Sequence, residues 1–164
     1  MKDKYIFDLD YTLYSSYDHI DTEDEHEYYS SFKEKSLMTQ LLKKLDNKYI
    51  ITNGTKSHAE AVLSNMKLDN IFSNNSIISR DDMKGTMKPY PLPYLIANKK
   101  FDIKYNDNVY FFEDMIDNLI IAKKYFGWKT ILIDPKMKSK PYGVDYLFNT
   151  IENALVHFHG KKKI

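Results

Sequence analysis

The stretch Tyr5-Ile6-Phe7-Asp8-Leu9-Asp10-Tyr11-Thr12-Leu13-Tyr14 runs from an apolar segment straight into two carboxylates and a hydroxyl. An apolar run without strict alternation suits a strand buried on both faces, as in a parallel sheet covered by helices. Three further runs share this character: Tyr49 to Thr52, Val109 to Phe112 and Thr130 to Ile133. Segments with helical spacing lie between them, so the pattern predicts an α/β fold. Each run ends just before a polar cluster, and strand ends are where open α/β sheets place their ligands.

The helical segments carry their own start and stop signals. Thr22 and Glu25 have capping-box spacing, which predicts a first helix after Thr22 with Tyr28, Phe32, Leu41, Leu42 and Leu45 facing inward. The acids from Asp18 to Glu27, with His19 and His26 among them, read as a solvated helix start and not as an ion site. Ser57 to Met66 fits a second helix, and Pro93 can open a third at its first turn. A fourth spans Ile116 to Phe126 with Gly127 as its cap, and a last one spans Thr150 to Phe158.

Composition removes several classes of function. The chain has 164 residues and a formal charge of +1, which suits one domain and names no partner by electrostatics. With no cysteine it has no disulfide, thiolate zinc site or thiol nucleophile. Arg80 is the single arginine, which argues against a nucleic-acid groove built on guanidinium forks. Asp8 and Asp10 interrupt the N-terminal apolar run, so no signal peptide or membrane span is expected there, and the protein reads as soluble, intracellular and cytoplasmic.

Four clusters carry candidate chemistry. Asp8 and Asp10 form a pair that could act as nucleophile and general acid, if environment pushes their pKa values apart. Thr52, Asn53 and Gly54 end the second run and offer a hydroxyl and backbone N–H groups to a phosphate oxygen. Lys88 could add an ammonium beside it. Glu113 and Asp114 end the third run, with Asp117 and Asn118 one turn on; with Asp8 they supply hard oxygen ligands of the kind Mg²⁺ prefers.

Taken in order, these clusters resemble the haloacid dehalogenase superfamily of phosphohydrolases, over about Tyr5 to Asp134. The stretch FDLDYTLY is similar to its nucleotidase-like branch. The resemblance implies a Rossmann-like three-layer sandwich with a mostly parallel central sheet. It implies that Asp8 attacks phosphorus to form an aspartyl phosphate, while Asp10 protonates the leaving oxygen and then activates water. Asp8, Asp114 and the backbone carbonyl of Asp10 would bind Mg²⁺. Thr52, the Asn53 N–H and Lys88 would hold the phosphate oxygens, with Thr12, Glu113 and Asn118 supporting the ligands. Asp10 favours phosphoester over carbon–halogen cleavage, because an alkoxide needs a proton on leaving and a halide does not.

The intervals between clusters leave no room for a full cap domain. Residues 1–164 therefore read as one nearly capless domain, with a flap and reduced helical region at 13–47. The expected activity is Mg²⁺-dependent phosphomonoester hydrolysis. The alternatives are a nucleoside 5′-monophosphate phosphatase, a macromolecular phosphatase for phosphoprotein or nucleic-acid ends, and a non-catalytic binding module. A second copy of the chain could complete the lid. Tyr11, Tyr14 and Tyr17 are placed near the entrance, and the end from His157 through Lys163 reads as frayed and solvated.

Overall fold

Along β1 (Asp3–Phe7) the side chains alternate between two cores, with Tyr5 and Phe7 entering one and Ile6 the other. The computed structural model, which describes residues 1–160, shows the same alternation on the neighbouring strands. Phe112 of β4 (Asn108–Glu113) and Ile131 of β5 (Lys129–Ile133) join the Phe7 side, while Phe111 and Leu132 join the Ile6 side. Period-two side chains that are apolar on both faces require a covering layer on each.

Among the described residues the sheet has six strands, all parallel, in the order β3-β2-β1-β4-β5-β6. Here β2 is Lys48–Ile51, β3 is Ile77–Ile78 and β6 is Tyr146–Phe148. One face is covered by α2 (Ser36–Lys43), α3 (Lys56–Asn65) and α6 (Ile151–Gly160) through Leu42, Leu63 and Leu155. The other is covered by α4 (Pro91–Lys100) and α5 (Ile116–Phe126) through Tyr94, Ala97, Leu119 and Ala122. The strand order reverses between β1 and β4, so a crevice opens at their C-terminal ends. The fold is the expected α/β sandwich, with a sheet that is wholly parallel.

Local signals explain the helix ends, with three corrections to the sequence reading. The first helix, α1 (Glu25–Ser31), is capped by Asp24, whose side chain accepts from Glu27 N; Thr22 instead donates to the Glu27 carboxylate. The single helix expected through Leu45 breaks at Phe32, whose backbone is extended. The step from Phe32 to Met38 is off the helical period, so one straight helix could not bury both. Phe32 instead meets Tyr14, His19 and Tyr28, and Met38 enters the sheet core. Pro91, not Pro93, opens α4, and Gly127 closes α5 at φ 67°, a left-handed cap that glycine adopts without strain.

The end of α6 corrects a further expectation. Phe158 is buried and His159 Nε2 lies 2.8 Å from Leu41 O, so residues 157–159 are docked and not frayed. Lys161, Lys162 and Lys163 lie outside the described residues. Among the described residues, no helix is long and apolar enough to cross a membrane.

Candidate active site

Sheet register sets the first contact. Phe7 pairs with Phe112, and Asp8 N donates to Phe112 O at 2.9 Å, which brings Asp8 level with Glu113 at the β1 and β4 ends. Lys88 enters from the chain ahead of α4 and donates to Asp8 Oδ1, Glu113 Oε1 and Ile51 O, each at 2.8 Å. An ammonium has three hydrogens, so all are committed. Asn53 delivers this lysine: its Oδ1 accepts from Lys88 N and its Nδ2 donates to Lys88 O, both at 3.0 Å.

The remaining partners fix the acids. Thr12 Oγ1 lies 3.2 Å from Asp8 Oδ2 and 3.5 Å from Asp114 Oδ1, between the two carboxylates. Glu113 accepts from Asn118 Nδ2 at 2.5 Å and from Met115 N at 2.7 Å. Asn118 is buried on the inner face of α5, whereas Asp117 is exposed. Asp8, Lys88, Glu113 and Asp114 line one cavity of about 200 Å³, together with Asp10 and Asn53.

This cluster is electrostatically incomplete. Burial pushes the Asp8 carboxyl well above its ordinary range and the Glu113 charge adds to this, with Lys88 opposing both without reversing the shift. Burial and then Glu113 push Asp114 up to about 7. Burial alone would lower the Lys88 pKa, but Asp8 and Glu113 hold it above the usual lysine range. Carboxylate oxygens of Asp8, Glu113 and Asp114 lie within 4.8 Å of one another, against a single ammonium. Among the described residues this is the one acidic or histidine group close enough to share an ion. Its oxygens are hard donors in a pocket short of positive charge, which fits Mg²⁺. Glu113 accepts three hydrogen bonds, against one on each Asp8 oxygen and a single long one on Asp114, so Asp8 and Asp114 have the freer oxygens.

A carboxyl whose folded pKa exceeds its unfolded value makes the folded state bind protons more tightly. For Asp114 the cost is absent below about pH 4 and grows as pH rises to about 7. In chelator, Asp114→Asn should therefore melt above the unmutated protein at pH 8 and close to it at pH 4. Mg²⁺ at about a hundred times its Kd should raise the unmutated protein's Tm at pH 8 by about 5 to 10 °C, and by less at pH 5. Equal melting curves at both pH values would contradict this account of the cluster.

Asp10 sits in different surroundings. Its Oδ1 accepts from Tyr14 OH at 2.5 Å and lies 2.6 Å from His58 Nε2, while Oδ2 accepts from Thr52 Oγ1 at 3.3 Å. Burial alone would raise its pKa, but the hydrogen bonds from His58 and Tyr14 outweigh it and hold Asp10 below the ordinary carboxylate range. The two aspartates of the opening stretch are thus driven apart, Asp8 up and Asp10 down. Thr52, expected beside a phosphate, is fully buried and turns its hydroxyl to Asp10 and to Gly54 N. Its backbone carries the strand pairing onward through Thr52 N to Ile78 O at 2.9 Å.

A second cavity of about 430 Å³ opens on the Asp10 side, lined by Tyr11, Tyr14, Tyr28, His58 and Arg80 among others. Tyr11 is half exposed and left-handed at φ 59°, a costly conformation for a large side chain. Tyr14 is buried, so it offers Asp10 a hydroxyl and no stacking face. Tyr17 is exposed and lines a different groove beside Lys33 and Lys35, away from the entrance where the sequence reading placed it. Two residues went unseen in the sequence reading, His58 and Tyr29; the available signal was a histidine in the first helical turn after a strand-end hydroxyl cluster.

Comparison with known proteins bears on the family and the fold. The profile of the haloacid dehalogenase-like hydrolases matches residues 16–133. A search of curated proteins finds no match. Among solved structures, a candidate beta-phosphoglucomutase from Thermotoga maritima aligns with TM-score 0.70 and 18% identity over 100% of both chains. A HAD phosphatase from Thermococcus onnurineus aligns with TM-score 0.64 and 15% identity over 98% of this chain and 99% of its own. A dehalogenase solved as an intermediate complex aligns with TM-score 0.63 and 23% identity. That alignment covers 79% of this chain and 58% of the dehalogenase. At these identities the structural likeness speaks for the fold alone, whereas the profile spans most of the chain: this protein belongs to the haloacid dehalogenase-like hydrolases.

Proposed function

We propose that the protein is a Mg²⁺-dependent phosphomonoesterase in which Asp8 is the nucleophile. The observation that carries this reading is the contrast between the two aspartates: Asp8 lies in a cation-demanding cluster, and Asp10 lies two residues on at the mouth of a second cavity. An anionic nucleophile meeting an anionic phosphate faces about 4 kcal/mol of repulsion at 4 Å and an effective dielectric of 20. A bound Mg²⁺, held by Asp8 and Asp114 with the Asp10 carbonyl, would neutralise that charge and polarise the phosphoryl oxygens. A halide leaving group would need neither this ion nor an acid at Asp10.

In this reading an Asp8 oxygen attacks phosphorus, the ester P–O bond breaks, and Asp10 gives its proton to the departing oxygen. The approaching phosphate charge favours the protonated form of Asp10 that this step needs. Water then attacks the aspartyl phosphate, Asp10 takes its proton, and Asp8 and inorganic phosphate are released. Lys88 orients Asp8 Oδ1 throughout; to grip the phosphate as well, it would have to exchange one of its three present acceptors. Tyr11, Tyr28 and Arg80 lie where the leaving group would extend, which favours a substrate with a flat or polar leaving group such as a nucleoside.

The test is release of inorganic phosphate from p-nitrophenyl phosphate and from nucleoside, sugar and peptide phosphates. Activity should be lost by more than about 100-fold in chelator and return with Mg²⁺. Folded, Mg²⁺-supplied protein that hydrolyses none of them would end this reading.

A further inference from the structure

Resting on that phosphatase reading, we infer that His58 is a positioning residue: with Tyr14 it fixes the Asp10 carboxylate so that Oδ2 alone carries the transferred proton. Oδ1 has two strong partners, Tyr14 OH at 2.5 Å and His58 Nε2 at 2.6 Å, whereas Oδ2 has one weak partner, Thr52 Oγ1 at 3.3 Å. A carbonyl oxygen accepts two hydrogen bonds, so this pairing, although stronger for the carboxylate, can persist when Asp10 is the carboxylic acid. Protonation of Oδ1 would place a hydrogen against two donors. Protonation of Oδ2 disturbs neither, and Thr52 can turn its hydroxyl to accept.

The imidazole is itself oriented. Its Nδ1 lies 2.9 Å from Tyr29 OH, and with that hydroxyl donating, the ring hydrogen belongs on Nε2, facing Asp10. The helix start holds the residue: Thr55 caps α3 and its hydroxyl accepts from His58 N at 3.2 Å. Gly54 leaves the space, since a Cβ there would lie 2.8 Å from His58 Cδ2 and 3.3 Å from Asp10 Oδ2. Three elements thus converge on one carboxylate: the turn after β1, the chain after β2, and α3, itself braced by α1 through Tyr29.

A misplaced general acid matters most when the leaving group is basic. The experiment compares an alkyl phosphate, glycerol phosphate, with p-nitrophenyl phosphate, whose phenolate leaves with little help. General acid catalysis is worth about 10² to 10⁴, so His58→Ala should lower kcat for the alkyl ester about 100-fold and for the aryl ester about 10-fold, with KM little changed. His58→Gln, whose amide N–H can reach Asp10, should recover part of the alkyl activity. Tyr29→Phe, which keeps the imidazole, should show the same preference with about a fivefold loss on the alkyl ester. Equal losses on both esters, or none, in the folded variants among these three would overturn the inference while leaving the phosphatase reading intact. An unmutated protein inactive on both esters would overturn the two together.

Discussion

Asp8→Asn should reduce phosphate release on the order of 10⁴-fold, and in chelator it should melt no lower than the unmutated protein. The first effect follows from chemistry, because an amide cannot attack phosphorus and loss of a nucleophile removes the covalent route. The second follows from the surroundings. Burial and Glu113 push the Asp8 carboxyl up, so its ionised form is held at a cost that the Lys88 contact only partly offsets. An amide oxygen keeps a partner for Lys88 and removes a buried negative charge. Steady-state rates and thermal melts with chelator check both halves. A variant that unfolds tens of degrees early would mean that Asp8 is a structural counter-ion first.

Lys88→Met should have the opposite signature, with a large loss of stability as well as activity. Lys88 is 4% exposed, and its ammonium is the positive partner of both Asp8 and Glu113. Removing one member of a buried ion pair costs about 3–5 kcal/mol, because the partner charge stays behind unsatisfied. For a chain of this size that lowers Tm on the order of 10 °C at pH 8. At pH 5 the loss should shrink, since the raised carboxyls take up protons more readily and the unpaired charge falls. Glu113→Gln in the Lys88→Met background should recover stability at pH 8. Melting of the single variant unchanged from the parent would show that solvent or relaxation satisfies these acids without the lysine.

The contrast between these two substitutions separates residues that react from residues that make the site possible. Asp8, Asp10, Lys88 and Asp114 could be picked out because each is a charged group beside the end of an apolar run or just before a helix. The strands β1, β2, β4 and β5 were legible for the same reason, being runs of large apolar side chains. The edge strands β3 and β6 were not: the first has two residues and the second three, too few for a period to register. The α1–α2 break is not legible in the sequence because both halves are helical, and Phe32 between them packs against Tyr14 and His19.

By itself, then, the sequence determined the α/β layering and the kinds of chemistry available, because burial periodicity and charged strand ends are local properties of the chain. Only the tertiary structure decided which charges meet. Parallel register sets Asp8 beside Glu113 across 105 positions of chain, the Asn53 clasp brings Lys88 between them, and helix α3 presents His58 to Asp10. The pKa values of the acids are therefore properties of the fold: Coulomb energy and desolvation depend on distance and burial, which no single segment encodes.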